Sequence, residues 1–174
     1  MPDPLPTPLP NPPPERGRAR AAVWFALAAA IVVLDRAAKL VVLELFAPGE
    51  IRSVTGFFNL VLVYNKGAAF SFLGDASGWQ RPLLAAIALA AAVLITVLLL
   101  RKPGEKMFCG ALALILGGAL GNLWDRIVWG HVVDFLDFHT AGWHWPAFNV
   151  ADSAITVGAG LLIVESFLHR DSGG

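Results

Sequence analysis

Apolar residues run along this chain in four long stretches separated by short polar breaks. The first extends from Ala21 to about Phe46; it opens with fourteen uncharged residues and then carries Asp35, Arg36, Lys39 and Glu44. The second, Pro82–Leu100, has nineteen residues without a charge, and the third, Met107–Trp124, has eighteen. The fourth, about Val150–Leu168, holds Asp152 near its start and Glu165 near its end. A helix needs roughly 20 residues at about 1.5 Å each to cross the hydrocarbon of a bilayer. The pattern predicts an all-α membrane protein with four transmembrane helices, at about 21–46, 82–100, 107–128 and 150–168. Asp35 then falls in the outer half of the first span. Phe57–Phe72 differs: it is rich in Phe, Val, Leu and Tyr and is broken by Asn65-Lys66-Gly67. It reads as two short strands around a turn, a small β-hairpin or cradle in the first outer loop.

Composition supports insertion. The chain is 56% hydrophobic and only 15% charged, with a mean hydropathy of +0.64. A soluble domain of 174 residues needs more charge than that to cover its surface. Thirteen basic and thirteen acidic residues balance, so charge gives no argument for nucleic acid, and no nucleic-acid partner is expected. The single cysteine, Cys109, lies in an apolar run and reads as a small buried hydrophobe.

Eight of the twelve prolines fall in residues 1–14, where helix is forbidden and a disordered or polyproline-II tail is expected. The division that follows is a disordered, proline-rich and basic tail over 1–20, one membrane domain over 21–168 and a short tail over 169–174. Arg16, Arg18 and Arg20 precede the first span; Arg101, Lys102 and Lys106 lie between the second and third; Arg170 follows the fourth. With four spans these groups share one side, so the positive-inside rule puts both termini in the cytoplasm. The loops at about 47–80 and 129–149 then face outward.

Ionisable groups inside a span are expensive and are functional suspects by default. Asp35 and Lys39 are four apart, share a helix face and are placed to pair. Gly118, Asn122, Asp125 and Arg126 recur at three- and four-residue spacing on one face of the third span. Asp134 stands between apolar residues, an odd choice for a solvated loop. Asp152 has a bland reading, with Asn149 as helix N-cap and Asp152 as a first-turn acid. The third and fourth spans are antiparallel neighbours, however, and seventeen residues lie between the two aspartates. Two carboxylates that meet share a proton; one then activates water while the other donates to a carbonyl. His131, Asp134, Asp137, His139 and His144 crowd the second outer loop, but their spacing matches no common zinc motif, so no metal and no other cofactor is expected. Ser71 and Ser153 lack the G-x-S-x-G frame of a serine hydrolase. Trp124, Trp129, Trp143 and Trp145 read as an interfacial aromatic belt. A proton-relay protein using Asp35, Asp134 and Asp152 is the alternative, set back by the nearly charge-free inner halves of the spans. A scaffold whose proline-rich tail recruits a partner is a third.

Five ordered blocks resemble those of bacterial lipoprotein signal peptidase, or signal peptidase II. They are Leu34-Asp35-Arg36-Ala37-Ala38-Lys39, the stretch Tyr64 to Phe72, the stretch Gly117 to Arg126, Val133-Asp134-Phe135, and Phe148 to Ser153. The resemblance covers about residues 24–168. It implies an aspartic endopeptidase that cleaves diacylglyceryl-modified prolipoproteins before the lipidated cysteine, with Asp134 and Asp152 as the catalytic dyad. It implies that Asp35, Lys39, Asn65, Gly118, Asn122, Asp125, Arg126 and Asn149 contact substrate or support the site. It also implies the bacterial plasma membrane, an extracytoplasmic active site, membrane lipid as a partner, and inhibition by globomycin-type peptides.

Overall fold

Each of the four apolar runs forms one helix. The computed structural model describes residues 14–67 and 79–170, in the order α1 (Pro14–Leu45), β1 (Ile51–Thr55), β2 (Phe58–Asn65), α2 (Gln80–Arg101), α3 (Lys106–Val128), β3 (Val132–Thr140), β4 (Trp143–His144) and α4 (Val150–Arg170). The proline-rich stretch 1–13, the block 68–72 with Ser71, and the last residues 171–174 lie outside the described residues. Helices α2, α3 and α4 are long and apolar enough to cross a membrane, with mean hydropathies of 3.0, 1.7 and 1.5. Helix α1 has 32 residues, a length of about 48 Å at 1.5 Å per residue, and starts at Pro14, so residues 14–20, expected to be disordered, are helical: proline is tolerated in a helix's first turn and the Arg-Ala stretch after it favours helix.

Helix α3 is the hub. It packs against α1, α2 and α4, and twelve of its residues are buried. Gly117 and Gly118 explain how two neighbours come so close. A methyl at Gly117 would stand 2.7 Å from the Ala28 carbonyl of α1, and one at Gly118 would collide with the Ala151 carbonyl of α4. Small residues of this kind let transmembrane backbones approach where no hydrophobic drive exists between helices. At one end of the bundle Ala28, Ile95, Leu99, Cys109, Leu112 and Leu116 form an apolar cluster. Cys109 is fully buried there, its thiol against the Lys102 carbonyl at 3.0 Å. At the other end Val42 and Phe46 of α1 meet Leu62 of β2 and Val133 and Phe135 of β3.

That second cluster seats an antiparallel sheet on the helix ends, in the order β1-β2-β3-β4. The sheet is larger than the expected hairpin and takes strands from both interhelical loops. One hairpin turn falls at Gly56-Phe57 between β1 and β2; the strand expected after Asn65-Lys66-Gly67 lies outside the described residues. Asn65 ends β2, opposite Val132 of β3, and its Oδ1 accepts the Gly67 N–H at 2.9 Å in a tight local turn. The physical reason is partner choice. β2 buries Asn59, Val61 and Leu62 and pairs with Val132–Asp134 and Leu136–Phe138 of β3, while the wholly exposed β1 adds to its free edge. The pairing sets Val63 opposite Asp134.

Candidate active site

The site forms where α1, α3, the start of α4 and the β2–β3 pair converge. Asn149 is its centre. It precedes α4 and caps it: Asn149 Oδ1 accepts the Asp152 N–H at 2.9 Å, and Asp152 Oδ2 accepts the Asn149 N–H at 3.3 Å. This is a capping box built with aspartate, which satisfies two backbone donors reciprocally. The bland reading of Asp152 is therefore real, but it occupies only one carboxylate oxygen. Asp152 Oδ1 accepts from Asn122 Nδ2 at 2.7 Å.

Asn149 also reaches the other aspartate. Its Oδ1 is committed to a backbone N–H, which can only donate, so its amide nitrogen must face away. That nitrogen donates to Asp134 Oδ1 at 2.7 Å. Asn65, at the end of β2, donates to Asp134 Oδ2 at 3.0 Å. One buried residue thus holds both carboxylates, Asp134 through its side chain and Asp152 through its backbone. Asp134 is 2% exposed. Burial, and then the nearby charge of Asp152, push its carboxyl up from 3.8 to about 7, against the opposing bonds from Asn65 and Asn149.

Behind the pair lies a buried charge network. The Lys39 ammonium sits 2.7 Å from Asp35 Oδ2, 2.7 Å from Asp125 Oδ2, and donates to Asn122 Oδ1 at 3.2 Å. Lys39, Asp35 and Asp125 have no exposure at all. Arg36 completes the set by donating to Asp125 Oδ1 at 2.8 Å, with its guanidinium 4.2 Å from the Trp129 ring. Two acids and two bases balance, the condition under which buried charge is tolerated. Lys39 also fixes Asn122. An ammonium has only donors, so the Asn122 oxygen turns toward it and the amide nitrogen faces Asp152. Asp35 Oδ1 meanwhile accepts the Ala151 N–H at 2.9 Å, so the first helix caps the last. Arg126 donates to the Asn122 carbonyl at 3.2 Å, and its charge lies within electrostatic reach of Asp134, Asp152 and Asp125.

The candidates read from the sequence converge, with one division among them. Asp35, Lys39, Asn65, Asn122, Asp125, Arg126 and Asn149 bond to the two aspartates or to each other; Gly118 serves the α3–α4 contact one turn away. Arg36 lies outside the candidate set, and its signal was present, since it is a cation in the same apolar run as Asp35. The histidine crowd resolves into a separate cluster on the sheet. Asp137 accepts from Asn59 Nδ2 at 2.8 Å and meets His144 Nδ1 at 2.9 Å, while His139 stacks on His144. Burial works against it, yet these partners hold the Asp137 carboxyl below its ordinary value. Among the described residues no group of three or more His, Cys, Asp or Glu is placed to hold a metal.

A pair of carboxylates held by amides, coupled to each other and backed by neutralised charge, is suited to passing protons in peptide hydrolysis. The model of one family, signal peptidase (SPase) II, matches residues 27–168. The chain belongs to the signal peptidase II family. It is therefore a peptidase of a membrane-protein family. It is 60% identical over 143 residues to the lipoprotein signal peptidase of Cupriavidus necator, covering 82% of each chain. The lipoprotein signal peptidase of Ralstonia nicotianae is also 60% identical, over 142 residues and 82% of each chain. That of Janthinobacterium sp. is 56% identical over 82% of this chain and 86% of its own. Two solved structures share the fold of this signal peptidase II member. One is a bacterial membrane enzyme solved by the in meso method at 2.3 Å, with a TM-score of 0.77 and 26% identity over 88% of this chain and 92% of that one. The other, also a bacterial membrane enzyme, was solved at 1.9 Å and gives a TM-score of 0.73 and 30% identity over 83% and 92%.

Proposed function

We propose that this chain is an aspartic endopeptidase that removes the signal peptide from diacylglyceryl-modified prolipoproteins, cutting before the lipidated cysteine. The observation that carries the reading is the junction at Asn149, where one buried residue bonds to both Asp134 and Asp152. Family membership and the relatives' shared description as lipoprotein signal peptidases support the substrate class.

In this mechanism the pair carries one proton. Asp134, buried and with its carboxyl raised to about 7, keeps it; Asp152, more open to solvent and held by Asn122, is the base. Asp152 takes a proton from a water as its oxygen attacks the scissile carbonyl carbon. Asp134 donates its proton to the carbonyl oxygen. The tetrahedral diol then collapses: one hydroxyl returns its proton to Asp134 as the carbonyl re-forms, the C–N bond breaks, and the proton taken by Asp152 passes to the leaving amine. No covalent enzyme intermediate arises. Because the carboxylates interact, their titration belongs to the pair.

The setting is the plasma membrane of a bacterium. Helix α1 is the fourth span: Asp35, Arg36 and Lys39 are all ion-paired, which removes most of the cost of carrying them through it. Both termini and the Arg101–Lys106 turn face the cytoplasm, and the sheet and aspartates lie at the outer face. There the substrate's lipid stays in the bilayer while its scissile bond meets the pair. Globomycin-type peptides inhibit by occupying the same place.

The test is cleavage of a lipidated prolipoprotein by wild type, Asp134→Asn and Asp152→Asn. Each variant keeps its fold and loses about 10³-fold in turnover, the scale of a removed general acid or base. Substantial cleavage by either one would break the dyad assignment.

A further inference from the structure

At the end of the bundle opposite the aspartates, a cavity of about 310 Å³ opens between α1 and the α2–α3 turn. Its walls are Arg20, Val23 and Trp24 of α1, Pro103 and Gly104 of the turn, and Lys106 at the start of α3. The cavity is built, not incidental. Trp24 Nε1 donates to the Pro103 carbonyl at 3.1 Å and locks the turn onto α1. The Arg20 guanidinium reaches over Gly104, within van der Waals contact of where a methyl there would stand. The floor is apolar and the rim is cationic. The turn's one acid, Glu105, is already engaged by Lys102 at 3.1 Å, and the first turn of α3 contains no acid. Depth matters as well. Arg20 is the last charge before the apolar run of α1, and Lys106 the last before that of α3. Both cations therefore sit where apolar helix meets polar surface, the level at which a bilayer places its phosphates.

We propose that this cavity is a site for an anionic membrane phospholipid, its phosphate between Arg20 and Lys106 and its upper acyl chain against Val23 and Trp24. The site is remote from the aspartates and serves to seat the α1/α2–α3 corner in the leaflet. An aliphatic wall beneath two cations fits a molecule with a charged head and an apolar body; a free anion would leave the Val23 and Trp24 wall unused.

Trp24 is the reporter. Wild type and Arg20→Gln/Lys106→Gln, each with a Trp24→Phe counterpart as background, are reconstituted with bromine-labelled phosphatidylglycerol or phosphatidylcholine. The difference between each protein and its Phe counterpart isolates quenching of Trp24. Wild type prefers the anionic lipid by about fivefold for each cation, as expected for basic groups at an anionic surface. The double variant loses that preference, while prolipoprotein cleavage stays at the wild-type level. Equal quenching by both lipids in wild type, or a preference that survives in the double variant, overturns the site. Displacement of the labelled lipid by inorganic phosphate alone overturns its assignment to phospholipid. Because quenching needs no turnover, these outcomes are independent of the peptidase reading.

Discussion

The orientation of two amide groups decides what Asp134 and Asp152 can do. A backbone N–H fixes Asn149 and an ammonium fixes Asn122, so each aspartate faces an N–H that it must accept. Lys39 acts on Asp152 through Asn122, as a positioning residue. Lys39→Met leaves Asp35 and Asp125 with only Arg36, at a cost of about 3–5 kcal/mol for a broken buried ion pair. Lys39→Met/Asp35→Asn keeps the Arg36–Asp125 pair and restores charge balance and folding, seen in thermal unfolding in detergent, yet turnover stays depressed with little change in KM. Recovery of full turnover would mean that Lys39 is only a brace. Asp134 makes a second prediction. Its carboxyl is raised from 3.8 to about 7, so the folded state binds the proton more tightly than the unfolded one. Stability therefore falls as pH rises from about 4 to about 7 and levels off above that, and Asp134→Asn abolishes that decline in an unfolding series across pH. In the proposed mechanism cleavage needs the protonated acid, so it should likewise fall above about pH 7. The ionisable members of this site were legible because charge is so rare in the apolar runs. Which atom faces which was not, since an amide's polarity is set by neighbours distant in sequence: Lys39 and Asn122 are 83 residues apart.

Helices were easier to read than strands. An uncharged run of eighteen or nineteen residues has few alternatives to a spanning helix, and α2 and α3 lie where those runs do. The sheet was only half visible. β1 is exposed along its whole length, and β2 and β3 alternate for only part of theirs, so none of them declares itself without its partner. The cost of missing β3 was the placement of Asp134 in a loop, when strand pairing opposite Val63 is what holds it in the site. At this scale Gly118 is the sensitive position. Gly118→Ala drives a methyl into the Ala151 carbonyl, one residue before Asp152, and must push α4 away from α3. Overpacking of this kind costs about 1–3 kcal/mol. Turnover should fall further than stability, because Asp152 moves with α4. Measured unfolding and cleavage that decline in step would argue against that displacement.

Taken whole, the molecule is built inside out by the standard of a soluble protein. Its charge is gathered at the site and at the two ends, while Val33 and Val41 of α1, Leu94 of α2, and Ile163 and Val164 of α4 lie exposed. Only a bilayer satisfies such a surface. Removal of residues 1–13, which precede every sequence block that carries a site residue, should leave cleavage of a prolipoprotein intact in a membrane assay; loss would assign that stretch a part in catalysis. The bond from Ala151 to Asp35 joins positions 116 residues apart, and it has a consequence for biogenesis. With α1 as the proposed first span, Asp35 enters the bilayer early, yet its last partner arrives only with α4. A nascent chain halted before Val150 lacks that hydrogen bond as well as Asp152. With the proposed dyad, the peptidase switches on only once α4 is in place, and a half-inserted chain holds an unfinished, inert centre for quality-control proteases to find.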